Sequence, residues 1–145
     1  MATKYNPVGV IGAGSFGTAI ANTLAQNADV FLFSRKASTV EEINKTHRHL
    51  GLDLSPRITA SSDLAEIART CSLLFPIVPS TSFRRMMQSL GPHLRPHHIV
   101  IHGTKGFDLK NLEEEELNNP NVMVTRENGR TMSEVVLEES SVVRV

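Results

Sequence analysis

Short apolar runs alternate with segments whose apolar residues recur three and four positions apart, and the alternation persists through the first hundred residues. Apolar runs bounded by turn formers predict strands, and the longer periodic segments predict helices. Residues 8–11 (VGVI) predict a first strand, the turn at 12–17 opens a helix reaching about residue 27, and residues 30–33 (VFLF) predict a second strand. A second helix is expected near Ser38, whose spacing to Glu41 matches a capping box, and it carries Val40 and Ile43. Residues 47–56 predict a loop, 58–60 a short third strand, and Asp63 with Glu66 the start of a third helix ending near Thr70. Residues 73–78 predict a fourth strand, although Pro76 lacks the amide that a central strand needs. Residues 80–90 predict a helix stopped by Gly91 and Pro92, and 99–102 predict a fifth strand. Beyond Lys110 the pattern weakens: 113–116 predict a solvated helix start, 122–125 a sixth strand and 131–139 another helix. Strand and helix in strict alternation predict an α/β fold of Rossmann type, a doubly wound, mostly parallel sheet with helices on both faces.

The length of 145 residues fits one domain. Residues 142–145 break off within what reads as a strand, so the expectation is a Rossmann-type domain, residues 1–145, truncated near its C-terminal end. At 40% hydrophobic and 21% charged residues the chain is not a disordered one. The longest nearly apolar run, residues 73–79, is far short of the roughly 18 residues a membrane span needs. The first residues lack the apolar core of a signal peptide, and one cysteine, Cys71, cannot form an internal disulfide, so a reducing, cytoplasmic setting is expected. Net charge is zero, but residues 1–110 carry 12 basic against 7 acidic groups and residues 111–145 carry 3 against 8. Lys and Arg do not cluster along one helix, which argues against nucleic acid, while the early positive excess suits a small anionic ligand.

The sharpest motif is Gly12-Ala13-Gly14-Ser15-Phe16-Gly17, a GxGxxG placed between a predicted strand and a predicted helix. Gly12 allows the tight turn, Gly14 lets backbone approach a diphosphate, and Gly17 lets the helix pack closely on the strand. Free amides at the helix start, on the positive end of its dipole, then hold phosphate oxygens. NAD-specific folds place a carboxylate at the end of the second strand; this chain has Ser34, Arg35 and Lys36 there. A guanidinium pairs with a 2′-phosphate that a carboxylate would repel, so NADP(H) is favoured, with NAD(H) left open. The glycine loop, Arg35, Pro79 with Ser80, and Thr104-Lys105-Gly106 each follow a predicted strand, so all four fall on the carboxyl edge of the sheet, where ligands bind in such folds.

These residues resemble the N-terminal half of the NAD(P)-dependent glycerol-3-phosphate dehydrogenase family. The matching pieces are residues 10–19 (VIGAGSFGTA), Ile43-Asn44 with His47, Val78-Pro79-Ser80 with Phe83-Arg84, and Thr104-Lys105-Gly106. The resemblance implies reduction of dihydroxyacetone phosphate to sn-glycerol 3-phosphate for phospholipid synthesis. It implies that Ser15, Phe16, Arg35 and Lys36 contact the cofactor and that Lys105 contacts cofactor and substrate. An ammonium there would stabilise negative charge developing on the carbonyl oxygen. It also implies that a lysine acting as general acid or base, with a Gly-Pro substrate motif, belongs to a helical second domain outside residues 1–145, so this chain alone should bind cofactor without turning over substrate. A homodimer of the full-length protein is left open. The sequence departs from the family in having Phe16 where tryptophan is common, and in a shortened segment at 47–56 that lacks an aromatic near His49.

The remaining chemistry-bearing residues read as structural. Neither the histidines at 93, 97, 98 and 102 nor His47 and His49 come with cysteine or with a helix-spaced pair and carboxylate, so no metal site is expected. Cys71 reads as a small buried hydrophobe, Met86 and Met87 as core, and 113–116 as a solvated charge run. Two rivals stay open: another dehydrogenase of the 6-phosphogluconate dehydrogenase-like superfamily, such as a ketopantoate reductase type, and a non-catalytic NADP(H)-sensing module.

Overall fold

In the computed structural model, residues 6–145 are described. Along the chain run β1 (Val8–Ile11), α1 (Ser15–Leu24), β2 (Val30–Phe33), α2 (Ala37–Thr46), β3 (Arg48–His49), β4 (Leu52–Asp53), β5 (Ile58–Ser61) and α3 (Leu64–Thr70). They are followed by β6 (Leu73–Pro76), α4 (Ser80–Leu90), a short 3-10 turn (Gly91–His93), β7 (Ile99–Val100), β8 (Phe107–Leu109), α5 (Glu114–Leu117), β9 (Gly129–Thr131) and α6 (Met132–Glu139). Five strands form a sheet in the order β5-β2-β1-β6-β7, all paired in parallel. The order reverses between β1 and β6, which opens a crevice at their carboxyl ends, as the doubly wound expectation requires.

Alternation along the strands feeds two cores, one on each face. Val8, Val10, Val30, Leu32, Ile58 and Ala60 pack with Ala21 and Ala25 of α1 and Ile43 of α2. Ile11, Leu74 and Val100 pack on the other face with Ile67 of α3, Phe83, Met87 and Leu90 of α4, and Met132, Val135 and Val136 of α6. Cys71 sits in that second core, and burial pushes its thiol up to about 12, so it is inert apolar filling.

Pro76 has a physical account. It pairs with Ile11 as the last residue of β6, while the carbonyls of Leu74 and Pro76 accept from Ile101 and Gly103 on the β7 side. A strand residue points its amide and carbonyl to the same side, so the missing donor faces β7, whose ladder with β6 stops at Val100. The proline therefore spares the pairing with β1 and shortens β7 to two residues, against the four expected.

Other expectations are corrected. α1 ends at Leu24 rather than near 27, the next residues forming a turn. α2 is capped at Lys36 without a side-chain hydrogen bond; Ser38 lies inside the helix, and Glu41 pairs with Lys45 at 2.9 Å instead of closing a capping box. The expected loop at 47–56 holds a two-stranded hairpin, β3 with β4. Residues 122–125 form no strand, because Asn128 satisfies their backbone locally: its Oδ1 accepts from Thr125 N and its Nδ2 donates to Met123 O. The strand found beyond Lys110 is instead β9, which pairs antiparallel with β8. At the end of the chain Arg144 makes an isolated parallel bridge with Ile99, so the expected terminal strand is a single contact beside β7. Asp63 does cap α3, accepting from the amides of Ala65 and Glu66, and Thr131 with Glu134 forms a capping box on α6.

One ionic cluster ties β8, β9 and α6 to α4. Arg84, itself mostly buried, donates to Asp108, Glu138 and Glu139, and Glu138 also accepts from Lys110 and Arg130, each at 2.9 Å. Burial opposes the Arg84 charge, but the hydrogen bonds to Glu138, Asp108 and Glu139 outweigh it and raise its pKa. Hydrogen bonds from Lys110 and Arg84, and then Arg130, hold the Glu138 carboxyl at about 2, against an ordinary 4.5. Because the folded value lies below the unfolded one, the stabilisation is complete above pH 4.5 and is lost as pH falls toward about 2. Thermal melts taken from pH 6 downward should show that decline, and Glu138→Gln should start from a lower melting temperature and fall less steeply across the same window.

Candidate functional site

The site begins where β1 gives way to α1. Gly12 has φ of +126°, and a Cβ there would lie 2.2 Å from the Ile77 carbonyl oxygen, so the turn in the crevice between β1 and β6 excludes a side chain. A Cβ on Gly17 would lie 1.9 Å from the Gly12 oxygen, so the first turn of α1 can approach the strand end only without one. The first helical hydrogen bond runs from Thr18 N to Gly14 O, which leaves the amides of Ser15, Phe16 and Gly17 without a partner inside the helix. No side chain caps them and no acidic residue lies in the first turn. A Cβ on Gly14 would meet no atom of the described residues within 4 Å, so the outer side of the loop is open to a diphosphate. These features fit a dinucleotide.

The neighbouring strand ends bring in the other predicted residues. Beside the glycine loop, after β2, Ser34 is buried and its Oγ accepts from Lys36 N at 3.3 Å, while the Arg35 and Lys36 side chains are exposed. After β6, Pro79 caps α4, whose first residue is Ser80. After β7, the Thr104 hydroxyl donates to the Val78 carbonyl at 2.6 Å, and a Cβ on Gly106 would lie 3.0 Å from Ser80. The Val-Pro-Ser and Thr-Lys-Gly segments are thus one packed unit, from which Lys105 projects exposed. Phe16 is 57% exposed and leans over Gly103, at the mouth of a groove of 230 Å³ lined by Ile20, Phe75, Ile77 and Ile101.

A further residue escaped the sequence pattern. His49 is buried, and its Nε2–H donates to the Ala13 carbonyl at 2.9 Å, reaching from the β3–β4 hairpin into the glycine loop. The far side of the hairpin is fastened to α1, where Asn22 donates to Asp53 O and accepts from Ser55 N. The turn that makes this hairpin places Leu50 at φ +51° and Gly51 at φ +75°. Left-handed backbone at both central positions normally calls for Asn-Gly, so a leucine there hides the signal.

The candidates read as structural sit elsewhere. His98 is buried, with Nδ1 accepting from Arg95 N and Nε2–H donating to Ala68 O, which makes it a packing histidine. His102 rests edge-on against Phe83 and bonds the Ser133 hydroxyl, and burial holds it below the usual histidine range. Among the described residues no three His, Cys, Asp or Glu side chains are grouped to hold a metal, and no helix is long and apolar enough to cross a membrane.

Residues 7–143 match the family model for the NAD-dependent glycerol-3-phosphate dehydrogenase N-terminus. The chain belongs to that family. A glycerol-3-phosphate dehydrogenase [NAD(P)+] of Sphingopyxis alaskensis is 41% identical over 106 residues, covering 70% of this chain and 32% of the relative. One from Carboxydothermus hydrogenoformans is 36% identical over 106 residues, covering 70% of this chain and 32% of the relative. The chain therefore spans about a third of the length of these glycerol-3-phosphate dehydrogenases. Among solved structures, glycerol-3-phosphate dehydrogenase from Saccharomyces cerevisiae superposes with a TM-score of 0.76 at 22% identity, covering 96% of this chain and 40% of that one. The enzyme from Coxiella burnetii gives 0.72 at 24% identity, covering 94% and 38%. Both share the fold of this chain.

The geometry separates the glycines by role. Gly17→Ala should destabilise the fold by about 2 kcal/mol or more, because a backbone oxygen must move, whereas Gly14→Ala should cost about 1 kcal/mol or less. Chemical denaturation of the two variants measures the difference.

Proposed function

We propose that this chain is the cofactor-binding part of an oxidoreductase that reduces dihydroxyacetone phosphate to sn-glycerol 3-phosphate, in the service of glycerophospholipid synthesis. The observation that carries the reading is the meeting, at one sheet edge, of three helix-start amides without helical partners and the interlocked loops after β6 and β7. A bound nicotinamide dinucleotide would supply the hydride for the ketone carbon. The amides from Gly14 to Gly17 grip its diphosphate, with Gly12 and Gly14 also shaping the approach. Pro79 and Ser80 line the crevice on the far side of the glycine loop. Arg35, assisted by Lys36, pairs with a 2′-phosphate, which favours NADP(H) over NAD(H).

Lys105 is assigned to both cofactor and substrate. Its ammonium stabilises charge growing on the substrate's carbonyl oxygen, a role that acts mainly in the transition state. The family resemblance assigns the proton for the product hydroxyl to a lysine outside residues 1–145, so this chain alone binds cofactor and does not turn over.

Calorimetric titration of the chain with NADPH and NADH tests the reading: tighter binding of NADPH is expected, and no heat with either would remove it. Arg35→Asp should weaken NADPH by roughly tenfold or more while changing NADH by less than about threefold. In the full-length enzyme, Lys105→Met should lower kcat far more than it raises the dissociation constant for NADPH; equal losses in both would rule out the transition-state role.

A further inference from the structure

We infer that His49 is a positioning residue for the phosphate loop, holding the Ala13–Gly14 peptide in the orientation that aims the Gly14 amide at the diphosphate. The inference rests on the dinucleotide-binding reading and concerns how the site is preset before any ligand arrives. A trans peptide is planar, and its carbonyl and amide point in opposite directions. Whatever fastens the Ala13 carbonyl therefore decides where the Gly14 N–H points.

Little else in the loop opposes rotation of that peptide. Gly14 sits at φ −77° and ψ −177° with no side chain, and a Cβ there would touch nothing among the described residues. The donor that fastens Ala13 is the buried His49 imidazole, 2.9 Å from the carbonyl oxygen. Its other nitrogen lies 4.0 Å from the Glu42 carboxylate of α2, beyond hydrogen-bond distance, so the bond to Ala13 is the one that orients the ring. The hairpin that presents His49 is fastened to α1 by Asn22, which bonds Asp53 on its far strand and Ser55 just beyond it. The hairpin thus bridges the body of α1 and the loop at that helix's own start, and the Ala13–Gly14 peptide is held through its carbonyl.

Both the neutral Nε2–H tautomer and the imidazolium can donate this bond, and so can the side-chain amide of glutamine. The test compares His49→Phe and His49→Met, which cannot donate, with His49→Gln, which can. In the ligand-free chain, the Gly14 amide resonance should move in the first two variants and stay near its parental position in the third. Calorimetry with NADPH should show affinity falling about tenfold in the non-donating variants and staying within about threefold of the parent for His49→Gln. The inference is overturned if a folded non-donating variant binds NADPH as tightly as the parent, or if its Gly14 resonance does not move. It is equally overturned if neither non-donating variant folds, because the histidine is then needed for folding and not for aiming an amide. Should the parent itself bind neither NADPH nor NADH, the cofactor reading fails, while the Gly14 resonance still decides whether His49 holds the peptide.

Discussion

The end of β1 and the first turn of α1 lie in direct backbone contact, and two positions without side chains make that contact possible. Gly17 sits against the Gly12 oxygen, and Gly12 against the Ile77 oxygen, each at a distance no Cβ could share. The helix start is thereby pressed into the crevice between β1 and β6, where the strand order reverses. Every later feature of the edge inherits its position from this contact: the helix dipole points into the crevice, the amides of the first turn face outward, and the loops after β6 and β7 close against the opposite wall.

Around that contact the chain uses side-chain hydrogen bonds to backbone carbonyls to convert loops into fixed parts. Thr104 reaches back to the Val78 carbonyl, Asn22 holds the β3–β4 hairpin against α1, and His49 reaches the Ala13 carbonyl. Each spans at least 26 residues of sequence, so each fixes the edge by long-range closure and not by local propensity. The acidic residues of the C-terminal third have a comparable role. Glu138 and Glu139 meet Arg84 and anchor α6 to α4, and Glu138 also holds Lys110 and Arg130 beside the β8–β9 pair, which gives the charge imbalance between the two parts of the chain a structural purpose.

The sheet, its doubly wound topology and the glycine loop were legible because their signals are local: alternating apolar runs, a GxGxxG between strand and helix, and Asp63 or Thr131 at a helix start. What was not legible depended on competition. Ser38 and Glu41 have capping spacing, yet Glu41 is taken by Lys45. Residues 122–125 have strand composition, yet Asn128 satisfies their backbone first. The hairpin was hidden because Leu50 occupies left-handed backbone that sequence patterns reserve for Asn or Gly, and α2 likewise ends on a left-handed His47 where glycine would have advertised the stop. His49 could be placed only once that hairpin was known.

Pro76 also bears on the mechanical character of the sheet. Across its register with the stretch after Val100, β6 can accept hydrogen bonds but cannot return one at the proline, so residues 101–103 are secured from a single direction. The β1–β6 ladder runs over four pairs, whereas the β6–β7 ladder stops after two, before the stretch leading to Lys105. A missing backbone proton thus leaves fewer cross-strand bonds beside the lysine than beneath the glycines, and the two walls of the crevice are unequally braced.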